Sequence, residues 1–256
     1  MSVTRYSCAL DGQGLQDIDP AILIVDIREE IPKLAAATAA NARYDGLHLA
    51  RIARQRLGVT VVFEIHEYDP ARRRAVADRA CEWARDGWLT IGDRPGQRLR
   101  VVCERPPVAT SALQWTDRLT IGFAAYALPF WQDIDPARAT FTGRAGSALI
   151  APAGNRECFL EAEITAAGPV DALTLAVNGR RFAFEGLALG PGQTLLIGYD
   201  DENHRQFMRV GDASALAART AASADDLLLR PKTPNAVEIS ADGEVHVTLK
   251  GRGLWR

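Results

Sequence analysis

Between Ser147 and Leu249 the sequence breaks into short segments of alternating or β-branched character, with turn residues between them. The turns recur roughly every 8–12 residues, the pattern of an antiparallel sandwich. The expected strands are Ser147 to Ile150, Cys158 to Thr165, Ala172 to Val177, Arg181 to Phe184, Thr194 to Tyr199, Phe207 to Val210, Ala236 to Ile239 and Val245 to Leu249. Asn178-Gly179 is a two-residue hairpin signal, because a type I′ turn needs positive φ at both central residues. Ala241-Asp242-Gly243 reads as a second turn of this sort. No helical period of convincing length occurs in this half, and eight short strands in two sheets suit a jelly roll.

The first half is organised differently. Leu57 to Glu67 alternates strictly and is rich in β-branched residues, so it predicts a strand. Arg5 to Leu10, Ala21 to Ile27, Trp88 to Ile91, Leu99 to Glu104 and Arg118 to Ala127 predict further strands. One helix is expected over 69–87. Asp69 is a good N-cap, Pro70 occupies the first helical position where its missing N–H costs nothing, and Gly87 suits a left-handed end. Val76, Ala80, Trp83 and Ala84 form its inner face, and Arg72, Arg73, Arg74, Arg79 and Arg85 its outer one. Residues 28–46 lack a strand pattern, and the Ala-rich stretch Leu34 to Ala42 admits a helix. A segment this long between strands is usually functional. Phe130-Trp131 followed by Pro, Gly and small residues up to Gly146 reads as a boundary. The expected division is 1–135, a β domain with one helix, and 136–256, a β-sandwich. The fold class is mostly β.

Composition narrows the function classes. With 47% hydrophobic and 24% charged residues, the chain of 256 residues is long enough for two domains and is not of disordered composition. A net charge of −2 leaves no whole-chain footprint for nucleic acid. The sequence begins without a charged and then apolar stretch, so no signal peptide is expected, and no run approaches the length of a membrane span. Cys8, Cys81, Cys103 and Cys158 form no C-x-x-C pair, so neither a zinc site nor a redox motif is suggested, and four buried free thiols are expected.

Catalytic signals are weak. His48, His66, His204 and His246 are too scattered for a ligand set, and neither a nucleophile elbow nor a Walker loop occurs. The hexapeptide Gln16-Asp17-Ile18-Asp19-Pro20-Ala21 recurs at Gln132 to Ala137. Paired Asp residues suit a cation or acid–base work, but Asp before Pro more commonly starts a turn. Asp200-Asp201-Glu202 reads as a solvated hairpin tip. No pair of carboxylates is singled out for glycoside hydrolysis. The expectation is no enzyme, no catalytic residue, no cofactor and no metal. The densest basic stretch outside the helix is Arg51, Arg54 and Arg56 with Arg43 nearby, suited to a partner's carboxylates or to phosphate.

The order of these elements resembles the distal tail proteins of long-tailed bacteriophages and related tail-like particles. In the first half the resemblance rests on Leu47 to Arg56, Gly58 to Glu67, Asp69 to Trp88, Arg94-Pro95-Gly96 and Leu99 to Glu104. In the second it rests on Gly154-Asn155, Leu173 to Phe184 with Gly186-Leu187, Gly190-Pro191-Gly192 before Thr194 to Tyr199, Pro234-Asn235 and Trp255. The resemblance implies a structural virion protein at the tail tip or baseplate, made in the host cytoplasm. It implies a homo-hexameric ring of N-terminal domains that joins the tail tube protein to tail hub, fibre or receptor-binding proteins. DNA would pass through the channel without specific binding, and no membrane would be involved. The C-terminal domain would be a galectin-like sandwich, its last strand returning to the first domain. Residues 28–46 would form an arm or belt around a neighbouring subunit, and Arg43, Arg51, Arg54 and Arg56 would face a subunit interface or the channel. A carbohydrate-binding, lectin-like module is the alternative, although Phe182, Phe184 and Tyr199 read as core and not as a sugar platform.

Overall fold

A computed structural model describes residues 6–30, 34–40, 47–54, 56–113, 116–200 and 205–256. It is mostly β, as the alternating patterns imply, and the chain divides into two compact units, Met1–Trp131 and Gln132–Arg256. No helix among the described residues is long and apolar enough to cross a membrane.

The first unit holds strands β1 (Cys8–Leu10), β2 (Gln13–Gly14), β3 (Ile22–Glu30), β4 (Leu34–Ala40), β5 (Leu47–Arg54) and β6 (Leu57–His66). Helix α1 (Pro70–Trp83) is followed by β7 (Gly87–Ile91), β8 (Gln97–Leu113) and β9 (Thr116–Ala125). Seven strands make an antiparallel sheet in the order β2-β1-β7-β8-β9-β6-β3. Period-two burial drives it: Val59, Val61, Phe63 and Ile65 of β6 are buried with Leu119, Ile121 and Phe123 of β9. The apolar run at β3 is not buried throughout. Ile22 and Ile24 point inward, Leu23 is 49% exposed, and a bulge between Ile24 and Asp26 resets the register.

Asp69 caps α1 as expected, its Oδ1 accepting from the Ala71 amide at 2.9 Å. Val76, Ala77, Ala80 and Trp83 are the buried face. Trp83 meets Phe123 edge-on, with centroids 6.1 Å apart, and donates its indole N–H to the Gln13 carbonyl at 2.9 Å. The helix is shorter than expected. It ends at Trp83, and Gly87 starts β7 instead of closing a helix. The reason is distant in sequence: the Asp11 carboxylate accepts from the Trp88 amide at 2.9 Å and lies where a Cβ on Gly87 would stand.

In the second unit the strands after β10 (Trp131–Asp133), which spans the division, are β11 (Ala137–Ile150), β12 (Cys158–Ala166), β13 (Leu173–Val177), β14 (Arg180–Phe184) and β15 (Thr194–Asp200). They continue with β16 (Arg205–Val210), β17 (Ala213–Ser214), β18 (Leu228–Leu229), β19 (Asn235–Gly251) and β20 (Leu254–Trp255). Asn178 and Gly179, at φ 51° and 79°, make the expected tight turn between β13 and β14. The expected turn at Ala241-Asp242-Gly243 does not form, and two expected strands are one. The first part of β19 pairs with β13, from Ala176↔Glu238 to Leu173↔Ala241, and the rest pairs with β12, from Ala166↔Val245 to Leu160↔Gly251. The chain bends there without reversing, because the Asp242 carboxylate accepts from the amides of Asp171 and Ala172. Gly243 also lies too close to the Pro169 carbonyl to carry a Cβ. Within the region that reads as a boundary, Ala137 to Gly146 is likewise strand. β11 pairs with β19 from Ala137↔Gly251 to Gly143↔Val245 and again from Ala145↔Ser240 to Ile150↔Asn235, and between these stretches the extra residues are those of β19.

Candidate assembly surface

The β3–β6 pair does not stop at the sheet. Its register ends with Glu29↔Val59 and Glu30↔Gly58, and β4 and β5 resume it with Leu34↔Arg54, Ala35↔Ala53 and Ala36↔Ile52. The residue numbers of partners sum to the same value on both sides of the interruption, so β4 and β5 keep the register of β3 and β6. β6 continues the main sheet through β9. β4 and β5, by contrast, pair only with each other among the described residues. The described part of the Ala-rich stretch, Leu34–Ala40, is therefore a strand and not a helix. A two-stranded ribbon is marginally stable by itself in water and offers two open edges, so its order is best supported by something else laid against it.

Of the basic positions singled out in the sequence, Arg51 and Arg54 lie in β5, opposite Ala37 and Leu34. Arg56 stands beside the start of β6 and is ion-paired with Glu104. Arg43 lies outside the described residues, as do His204 and the Asp201 and Glu202 of the acidic tip, although Asp200 and Arg205 face each other across the β15–β16 hairpin. His66 is near Glu64 at 3.1 Å, and His246 near the Thr142 hydroxyl at 2.9 Å.

The helix arginines are mostly committed to the unit itself. Arg73 bonds Asp117 at 3.1 Å and the Glu67 carbonyl at 2.7 Å, Arg72 pairs with Glu67 at 3.0 Å, and Arg79 reaches Asp19 at 2.6 Å. Sequence reasoning missed another cluster. Arg94 forms a bidentate pair with Glu29 at 2.8 and 2.9 Å and lies over the buried Trp131 ring, whose N–H bonds the same carboxylate at 2.9 Å. Nothing local in the sequence marks this meeting of three distant residues.

The two copies of the repeated hexapeptide do different work. In the first, Asp17 accepts from the Gly14 amide and Asp19 from the Ala21 amide at 2.9 Å, an Asx turn. That backbone bond, together with the Arg79 guanidinium, outweighs burial and holds the Asp19 carboxyl below the usual carboxylate range. In the second, Asp133 accepts from the Trp255 indole at 2.6 Å, and its amide donates to the Gly253 carbonyl at 3.0 Å. Among the described residues no group of three or more His, Cys, Asp or Glu side chains is placed to hold a metal ion. Cys8 and Cys158 are buried, and burial pushes each thiol up to about 12, which keeps it protonated and inert. Cys81 and Cys103 are only half-buried, against expectation. Phe182 and Phe184 are core, whereas Tyr199 is half-exposed and stacked on Phe159 with centroids 4.0 Å apart.

This mostly-β chain is similar in fold to phage distal tail and baseplate hub proteins. The Dit protein (gp 19.1) of SPP1, described as a paradigm of the hub adsorption apparatus in phages infecting Gram-positive bacteria, matches over 96% of this chain and 98% of its own, with a TM-score of 0.71 at 13% identity. The baseplate of phage P2 in its activated, calcium-containing conformation includes a chain that matches over 97% of both, with a TM-score of 0.52 at 8% identity. At these identities the likeness is one of fold. No protein-family model and no curated protein matches the sequence.

Proposed function

We propose that this chain is a distal tail protein, a structural subunit of the virion tail tip without enzymatic activity. The observation that carries the reading is the match in fold to the SPP1 hub protein, which extends over 96% of the chain and so takes in both units. In this reading six copies close a ring through their first units. The ring joins the tail tube to the hub, fibre or receptor-binding proteins, and DNA passes through without specific contact.

The ribbon of β4 and β5 is the arm that clasps a neighbour. It supports a ring because a head-to-tail contact uses two different surfaces, and an arm adds contact area without enlarging the core. Arg51 and Arg54 lie on that arm, with Arg43 between its strands in sequence. These three and Arg56, at its base, are assigned to the subunit interface or the channel wall. Multi-angle light scattering of the purified chain over a range of concentrations tests the reading. A species of about six times 27.8 kDa is expected, and a monomer that persists at the highest concentration would overturn it.

A further inference from the structure

β11 is a 14-residue strand with one partner: it pairs with β19 along its length, and no other strand of the described residues meets its second edge. Long bare edges are a liability that folds usually cover or blunt. This one is also open from the side. Core-facing residues of β19 such as Val245, Val247 and Leu249 are fully buried, whereas their neighbours on β11, Ala139 and Phe141, remain half-exposed. One further strand alongside β11 would complete their burial.

The charge on this edge is of one sign. Arg138 and Arg144 are its only charged residues, and both are exposed. Neither makes a hydrogen bond, ion pair or ring contact among the described residues, unlike the arginines of the first unit that bind Glu29, Asp19 and Asp117. An antiparallel copy of β11 centred on Phe141 would set Arg138 opposite Arg144 twice, and like charges directly opposite are destabilising. The edge is thus arranged against itself.

From this geometry we infer that β11 is a docking edge for an extended segment of a partner protein, added as an extra antiparallel strand. That segment carries acidic side chains about six residues apart, matching the spacing of Arg138 and Arg144. Main-chain hydrogen bonds supply the affinity, and the two ion pairs select the partner. The inference does not depend on the ring, since it concerns the second unit of a single chain.

The test uses the full chain and two labelled peptides, Thr-Glu-Val-Thr-Val-Thr-Val-Glu-Thr and the same peptide with both Glu replaced by Lys. Fluorescence anisotropy reads affinity, and hydrogen exchange reads the β11 amides. The expected result is binding of the Glu peptide at least about tenfold tighter than the Lys peptide, with new protection in residues 137–150. The double variant R138E/R144E is expected to reverse the preference at an unchanged thermal midpoint, since neither side chain has a partner to lose. Equal affinity for both peptides, no binding of either, or protection confined to other strands overturns the inference. So does a peptide-free dimer whose β11 amides are already protected, because it would make a second copy the occupant.

Discussion

Asn235 shows how much of this fold hangs on single polar side chains. Its carboxamide oxygen accepts from the Arg230 amide at 2.8 Å and from the Asn178 side chain at 2.9 Å. Its nitrogen donates to the carbonyls of Ile150, Arg230 and Thr233 at 2.7 to 3.1 Å. The residue is 2% exposed, so Asn235→Ala would leave several backbone groups without partners and out of reach of water. A loss of about 3 kcal/mol in urea unfolding is expected; a loss below about 1 kcal/mol would show that water replaces the side chain. Asp19 sets a pH-dependent contribution. Its folded-state pKa lies below its unfolded one, so the ionised group stabilises the fold above the unfolded value, about pH 4, and that share is lost as pH falls through the folded value. In Asp19→Asn the stability deficit relative to the parent chain is therefore expected to be constant above about pH 4 and to shrink below it. Urea midpoints measured from pH 7 downward would check this, and a deficit that grows on acidification would contradict it.

The elements differ in how openly the sequence announces them. The start of α1 is legible because Asp69 and Pro70 act on the backbone next to them. Its end is not, because Asp11, far away in the chain, recruits the residues after Trp83 into a strand. β4 is hidden for a related reason: alanine favours helix, but pairing with β5 decides the matter, as tertiary context commonly does. The bend in β19 is not legible, since Asp-Gly is also the sequence of a tight turn, and only the close approach of Pro169 shows otherwise. Gly243→Ala therefore destabilises the second unit by an expected 2 kcal/mol or more, measurable as a drop in thermal midpoint; an unchanged midpoint would mean the bend has slack. For the candidate arm, the basic positions are visible but their setting is not, because a ribbon with no further partner among the described residues leaves no apolar alternation to read. Replacing residues 31–56 with a short Asn-Gly loop is expected to leave the seven-stranded sheet folded by circular dichroism while abolishing assembly in light scattering. Unchanged assembly would remove the arm from the account.

At the scale of the whole molecule, the likeness to the SPP1 hub protein is one of fold, at 13% identity. Many apolar sets can satisfy one burial pattern, so two chains can share a fold with few side chains in common. Two features of this chain are edges and extensions: a ribbon whose strands pair only with each other among the described residues, and a long strand edge with unspent cations. Both point to function by assembly. Electron microscopy of the purified full chain tests that claim most directly. Class averages of a six-fold ring with an open centre are expected; isolated single subunits, or a closed two-fold pair, would contradict this.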